Sequence, residues 1–135
     1  MKAIADTGFI VAFLHSDDEH HSWALEVEPA LDVPALTCEA VLAEAAFHLR
    51  SSQAVMELVA SGMLRVEFEL QQQVHYLEQI AQRFSSRAPD LADLCLVRMS
   101  ELFPRHTIVT VDESDFRVYR RNKREVIPIL CPPRR

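Results

Sequence analysis

Glycine is almost absent from this chain: only Gly8 and Gly62 occur in 135 residues. Neither G-x-G-x-x-G nor G-x-x-x-x-G-K-[ST] can be written from two glycines, so nucleotide sites built on glycine loops are excluded. Cysteine is scarce too. Cys38, Cys95 and Cys131 are odd in number, widely spaced and form no C-x-x-C. They read as small apolar side chains in a reducing cytosol rather than as a disulfide framework or a zinc site. Long hydrophobic runs are also lacking. The longest, residues 9–14, is far short of the roughly 20 residues that cross a bilayer. Asp6 precedes that run and no small-residue cleavage site follows a basic start, so it does not suit a signal peptide. A soluble cytoplasmic protein without a membrane segment is expected.

No repeat or low-complexity linker divides the sequence, and a single domain over 1–135 is expected. The formal net charge of −6 is unevenly spread. Residues 1–116 hold 7 Lys/Arg against 19 Asp/Glu, whereas residues 117–135 hold 7 basic side chains against Glu125 alone.

The hydrophobic pattern alternates between the two regular periods. Residues 2–5 suggest a buried strand ending at Asp6, with Thr7 and Gly8 as a turn before a short buried helix at 9–14. A polar loop at 15–19 and a helix at 20–27 follow, then a second short strand at 33–36. A helix begins at Thr37, a good N-cap, with Val41, Leu42, Ala45, Ala46 and Leu49 at helical spacing. Another, 52–60, stops at Gly62. Residues 64–70 alternate strictly and predict a half-exposed strand. Helices are expected around Val74–Phe84 and over 90–102, with a loop at 85–89 between them. Strands at 107–111 and 126–130 close the list, and Pro128 favours a sheet edge for the last. Strands separated by helices imply an α/β domain with a mainly parallel sheet, whose ligands gather beyond the carboxyl ends of the strands.

Acidic residues fall at those ends. Asp6 and Asp112 each follow a strand, while Glu44 and Asp93 ride helices able to pack over the same edge. Each has a local structural alternative: a helix cap for Asp6, an exposed helix edge for Glu44, a favourable first-turn acid for Asp93. Asp90 suits an N-cap, Asp115 a cap for the segment after it, and Glu39 the first turn of its helix. Taken together, four carboxylates without His or Cys make a hard oxygen site that suits Mg²⁺ or Mn²⁺. Left without a cation, such a cluster would raise the pKa of its members. The chemistry it indicates is phosphodiester hydrolysis. The six histidines are scattered, apart from the adjacent His20 and His21, and suit surface or packing roles.

Four segments, Ile4-Ala5-Asp6-Thr7-Gly8, Val41-Leu42-Ala43-Glu44-Ala45, Asp90-Leu91-Ala92-Asp93 and Thr110-Val111-Asp112-Glu113-Ser114-Asp115-Phe116, resemble in order and spacing the acidic motifs of PIN-domain proteins. Over its whole length the chain most resembles the small single-domain VapC-type toxins. The resemblance implies a PIN-like α/β fold and a Mg²⁺- or Mn²⁺-dependent endoribonuclease that leaves a 5′-phosphate. Asp6, Glu44, Asp93 and Asp112 fall on the family's acidic positions, with Asp115 a further metal-binding acid and Thr7, Thr110 and Asp90 in support. It also implies a homodimer, held inactive by a cognate antitoxin protein.

Two other readings remain open in the sequence. An aspartyl-phosphate enzyme would use Asp6 but wants a second Asp where Gly8 stands, and a well-placed lysine. A PIN-like module could instead bind RNA or protein without cutting. The basic tail is either a solvated surface or, if helical, an RNA-gripping face made by Arg117, Arg120, Arg121 and Arg124 near Asp112.

Overall fold

Short apolar segments whose side chains are buried on both faces build the centre of the molecule, as a parallel sheet requires. The computed structural model describes residues 1–134. Its main strands are Ala3–Ala5 (β1), Ala35–Thr37 (β2), Leu64–Val66 (β3) and Thr107–Val109 (β4), and Ile129–Leu130 is the last strand of the chain (β7). Arg120–Arg121 (β5) and Glu125–Val126 (β6) form a separate antiparallel ribbon. The five-stranded sheet runs β3-β2-β1-β4-β7, and every neighbouring pair is parallel.

Parallel pairs need crossovers, and helices supply them: Thr7–Leu14 (α1), His21–Val27 (α2), Glu39–Leu49 (α3), Ser52–Ala60 (α4), Leu70–Arg83 (α5) and Leu91–Leu102 (α6). A short seventh helix, Glu113–Val118 (α7), follows β4. The expected α/β architecture, a parallel sheet flanked by helices, is the one observed. Its core joins Ile4, Phe9, Ile10, Leu64, Leu96, Met99 and Ile108, all essentially without solvent contact. Among the described residues no helix is long and apolar enough to cross a membrane.

From β1 the chain winds first toward β2 and β3, then returns to place β4 on the other side of β1. The strand order therefore reverses between β1 and β4. Above their carboxyl ends lies the crevice where α/β sheets bind ligands.

Several local expectations are corrected. Thr7 and Gly8 are not a turn but the first residues of α1, because the Asp6 carboxylate caps that helix by accepting from Thr7 N. Gly8 serves close approach instead: a Cβ there would stand 2.2 Å from Val111 Cγ2. Thr37 is no N-cap. It ends β2, and its buried hydroxyl donates to Ala5 O at 3.1 Å, so Cys38 takes the cap position without a side-chain bond. The second strand accordingly covers 35–37 rather than 33–36. The alternating run at 64–70 is strand only to Val66; Phe68 tucks into the core and Leu70 already opens α5. β4 stops at Val109, leaving Thr110 and Val111 as the path to α7. The final apolar run is divided, Glu125–Val126 pairing with β5 while Ile129–Leu130 takes the expected edge position beside β4.

Candidate metal centre

The end of β1 places Asp6 at the crevice, and its neighbours hold both of its oxygens. Oδ1 accepts from Thr7 N at 2.6 Å, and Oδ2 accepts from the Thr110 hydroxyl at 2.6 Å. The same Thr110 oxygen accepts from Asp112 N at 2.9 Å, so one side chain just past β4 fixes two acidic positions. From α3, Glu44 receives the Thr7 hydroxyl on Oε2 at 3.1 Å. Thr7 and Thr110 thus each bond an acidic side chain of the crevice.

α6 delivers Asp93 in its first turn. Asp90 is the N-cap, accepting from Asp93 N at 2.8 Å, as its position predicts. Asp93 Oδ2 accepts from the Tyr119 hydroxyl at 2.9 Å. Tyr119 is itself immobilised by edge-on packing against Phe84 and Phe116. Asp112, rather than Asp115, caps the segment after β4: its Oδ1 accepts from Asp115 N at 3.2 Å. Asp115 is engaged elsewhere, its Oδ1 receiving Arg87 Nε and a guanidinium nitrogen at 3.2 and 2.9 Å.

These residues meet in one cleft of about 580 Å³, lined by Asp6, Thr7, Glu44, Asp90, Asp93 and Asp112 together with His20 and His48. Asp115 does not line it. Carboxylate oxygens of Asp93, Asp112 and Asp115 nevertheless lie within 4.8 Å of one another, a spacing able to hold a metal ion.

Burial and mutual repulsion raise the proton affinity of the cluster. Asp6 is pushed up to about 6, chiefly by desolvation, against the lowering effect of Thr110 and Thr7 and with added repulsion from Asp112 and Glu44. Asp93 is pushed up to about 7 by desolvation, then by the charges of Asp90, Asp6 and Asp112, while the Tyr119 hydroxyl draws it back. Asp112 is raised by burial and by Asp115 beside it. The carboxylates outnumber the two histidines of the cleft, they repel one another, and fixed hydrogen bonds aim them. That chemistry fits a hard divalent cation.

Of the two readings open for the basic tail, the helical face does not form. Asn122 and Lys123 adopt left-handed backbone, with φ of 48° and 72°, and turn the chain into the β5–β6 ribbon. Arg121 is buried, donating to Ser100 O at 2.9 Å and pairing with Glu125 at 2.8 Å. Arg120 folds back onto carbonyls of its own segment, those of Arg117 and Tyr119 among them. Ser100 lies seven residues beyond Asp93 along α6, about 10 Å at helical rise. The ribbon, Arg124 included, therefore belongs to the far end of α6 and not to the acidic cleft. Arg117, on α7, is the exception.

Tyr119, Arg87, His20 and His48 were missed by sequence reasoning. Only His48 carried a usable signal, since it stands four residues after Glu44 on one helix face. No protein-family model matches the chain, and no curated protein does.

Proposed function

We propose that this chain is a Mg²⁺- or Mn²⁺-dependent endoribonuclease, acting in the cytoplasm as a homodimeric toxin restrained by a cognate antitoxin. The observation that carries the reading is the meeting of Asp6, Glu44, Asp93 and Asp112, from four separate parts of the chain, in one cleft at the strand-order reversal. These four would hold the ion, with Asp115 at its margin.

Bound there, Mg²⁺ or Mn²⁺ supplies positive charge against a phosphodiester and lowers the pKa of water. The protein's own part is orientation. Thr7 N and Thr110 fix the plane of the Asp6 carboxylate. The Thr7 hydroxyl aims Glu44 into the cleft. Tyr119 occupies Asp93 Oδ2, leaving Oδ1 free to face the ion. Hydrolysis then needs no residue acting as a covalent nucleophile.

Asp6→Asn and Asp93→Asn should each reduce Mn²⁺-supported cleavage of a total-RNA substrate to background while the circular-dichroism spectrum stays native. Full activity of both variants at saturating Mg²⁺ would overturn the site. RNA binding by the natural chain without cleavage at any Mn²⁺ concentration would instead favour a binding module.

A further inference from the structure

A cleft walled by carboxylates repels the polyanion it is proposed to cut, so fixed cations are needed beside it. The β5–β6 arginines cannot serve, being folded onto carbonyls, buried against Ser100, or carried at the far end of α6. A second cleft of about 420 Å³ adjoins the first, and His20 and Val111 line both. Its wall carries Arg117, Arg134 and Ser114.

We propose that the RNA strand continues from the acidic cleft into this second one, where Arg117 and Arg134 grip the neighbouring phosphate. The inference rests on the ribonuclease reading above and adds where the substrate lies.

Three observations support it. Arg117 is exposed, and among the described residues its guanidinium makes no hydrogen bond or ion pair. Arg134 is 83% exposed as a side chain and touches Glu113, its Nε donating at 2.8 Å. Two guanidinium groups against one carboxylate leave the wall positive. Finally, α7 sets the spacing: Asp112 is its N-cap and Arg117 lies in its last turn. Five residues of helical rise make about 7–8 Å. An extended strand with one phosphate over Asp112 thus brings the next within reach of Arg117. The Ser114 hydroxyl, which donates to Asp112 Oδ1 at 3.4 Å, lies between them.

The test is fluorescence anisotropy of a labelled single-stranded RNA of about twelve nucleotides, titrated with the full chain in Ca²⁺ between 50 and 200 mM salt. Arg117→Ala and Arg134→Ala should each weaken binding roughly tenfold at the lowest salt and make the log–log salt slope shallower by about 0.7. Arg117→Lys should keep most of the slope, and Mn²⁺ affinity by calorimetry should be unchanged. Arg105→Ala, a cation ahead of β4 at the amino ends of the strands, should alter neither. Unchanged slopes in both variants would overturn the subsite, as would no binding by the natural chain. Cleavage in Mn²⁺ with unchanged slopes would leave the nuclease standing and remove only the subsite. Arginine-dependent binding without cleavage would do the reverse.

Discussion

Without metal, the protein should become less stable as pH rises from 5 to 8, the opposite of what a salt-bridged carboxylate produces. Asp6 carries the clearest part of this effect. Its carboxyl, 7% exposed, ionises at about 6 in the folded chain against an ordinary 3.8. The folded state therefore holds that proton more tightly than the unfolded state does. The resulting stabilisation is complete below about pH 4 and disappears as pH climbs past about 6. Between pH 5 and 8, Asp6 alone gives up about 1.4 kcal/mol. Asp93 ionises near 7 but is wetter, and after allowance for screening it contributes a comparable amount. The sum, about 3 kcal/mol, should move a urea midpoint by roughly 1.5 M for a slope of about 2 kcal/mol/M. His106, held below its usual value by burial and by Lys2, pulls the other way. The quantity to measure is therefore the difference between the natural chain and the Asp6→Asn/Asp93→Asn double variant in chelator-treated urea titrations. The natural chain should lose stability more steeply with pH, and millimolar Mn²⁺ at pH 8 should restore it but not the variant. Parallel midpoints at every pH would refute the reasoning that burial loads these two acids.

Two further substitutions probe single contacts. Gly8→Ala would put a methyl 2.2 Å from Val111 Cγ2; overpacking of about 2–3 kcal/mol should exceed the gain of about 1 kcal/mol in helix propensity. Thermal unfolding should show the loss and its recovery in Gly8→Ala/Val111→Ala, and an unchanged midpoint for the single variant would contradict the close approach. Tyr119→Phe keeps the aromatic packing but removes the donor on Asp93 Oδ2. The Asp93 carboxyl should then ionise above 7, so Mn²⁺ binding followed by calorimetry should require a higher pH. Superimposable pH curves would show that Tyr119 does not tune the acid.

The sheet was legible because its strands are continuous apolar runs, and the two acids that end such runs were found on that ground. Residues 64–70 misled for an instructive reason. Strict alternation describes a strand only while a partner strand continues beside it, and here β2 ends at Thr37, opposite Val66. Phe68 keeps its inward position by entering the core ahead of α5, so the period persists after the pairing stops. The tail stayed open between two readings for want of a strong turn signal. Asn122-Lys123 adopts the left-handed backbone that Asn-Gly usually announces, and without glycine the pair limits a helix of arginines but does not exclude one. Tyr119 and Arg87 could not be found by any local rule, since each reaches its carboxylate from 26 or 28 residues away.

Asp112 and Asp115 divide a role the sequence left undecided between them. Both belong to the trio whose oxygens approach within 4.8 Å, but only Asp112 faces the cleft. Arg87 already occupies one Asp115 oxygen with two of its nitrogens. An ion bound against Asp115 would have to share that oxygen with a guanidinium or use the other one. Among the described residues no cation pairs with Asp112; its backbone N–H is tied to Thr110 and through it to Asp6. The negative charge of Asp115 still reaches Asp112 and raises its proton affinity. Asp115 thus acts on the cleft through its neighbour, loading Asp112 in a way that a divalent cation relieves, while Arg87 holds Asp115 away from the cleft wall.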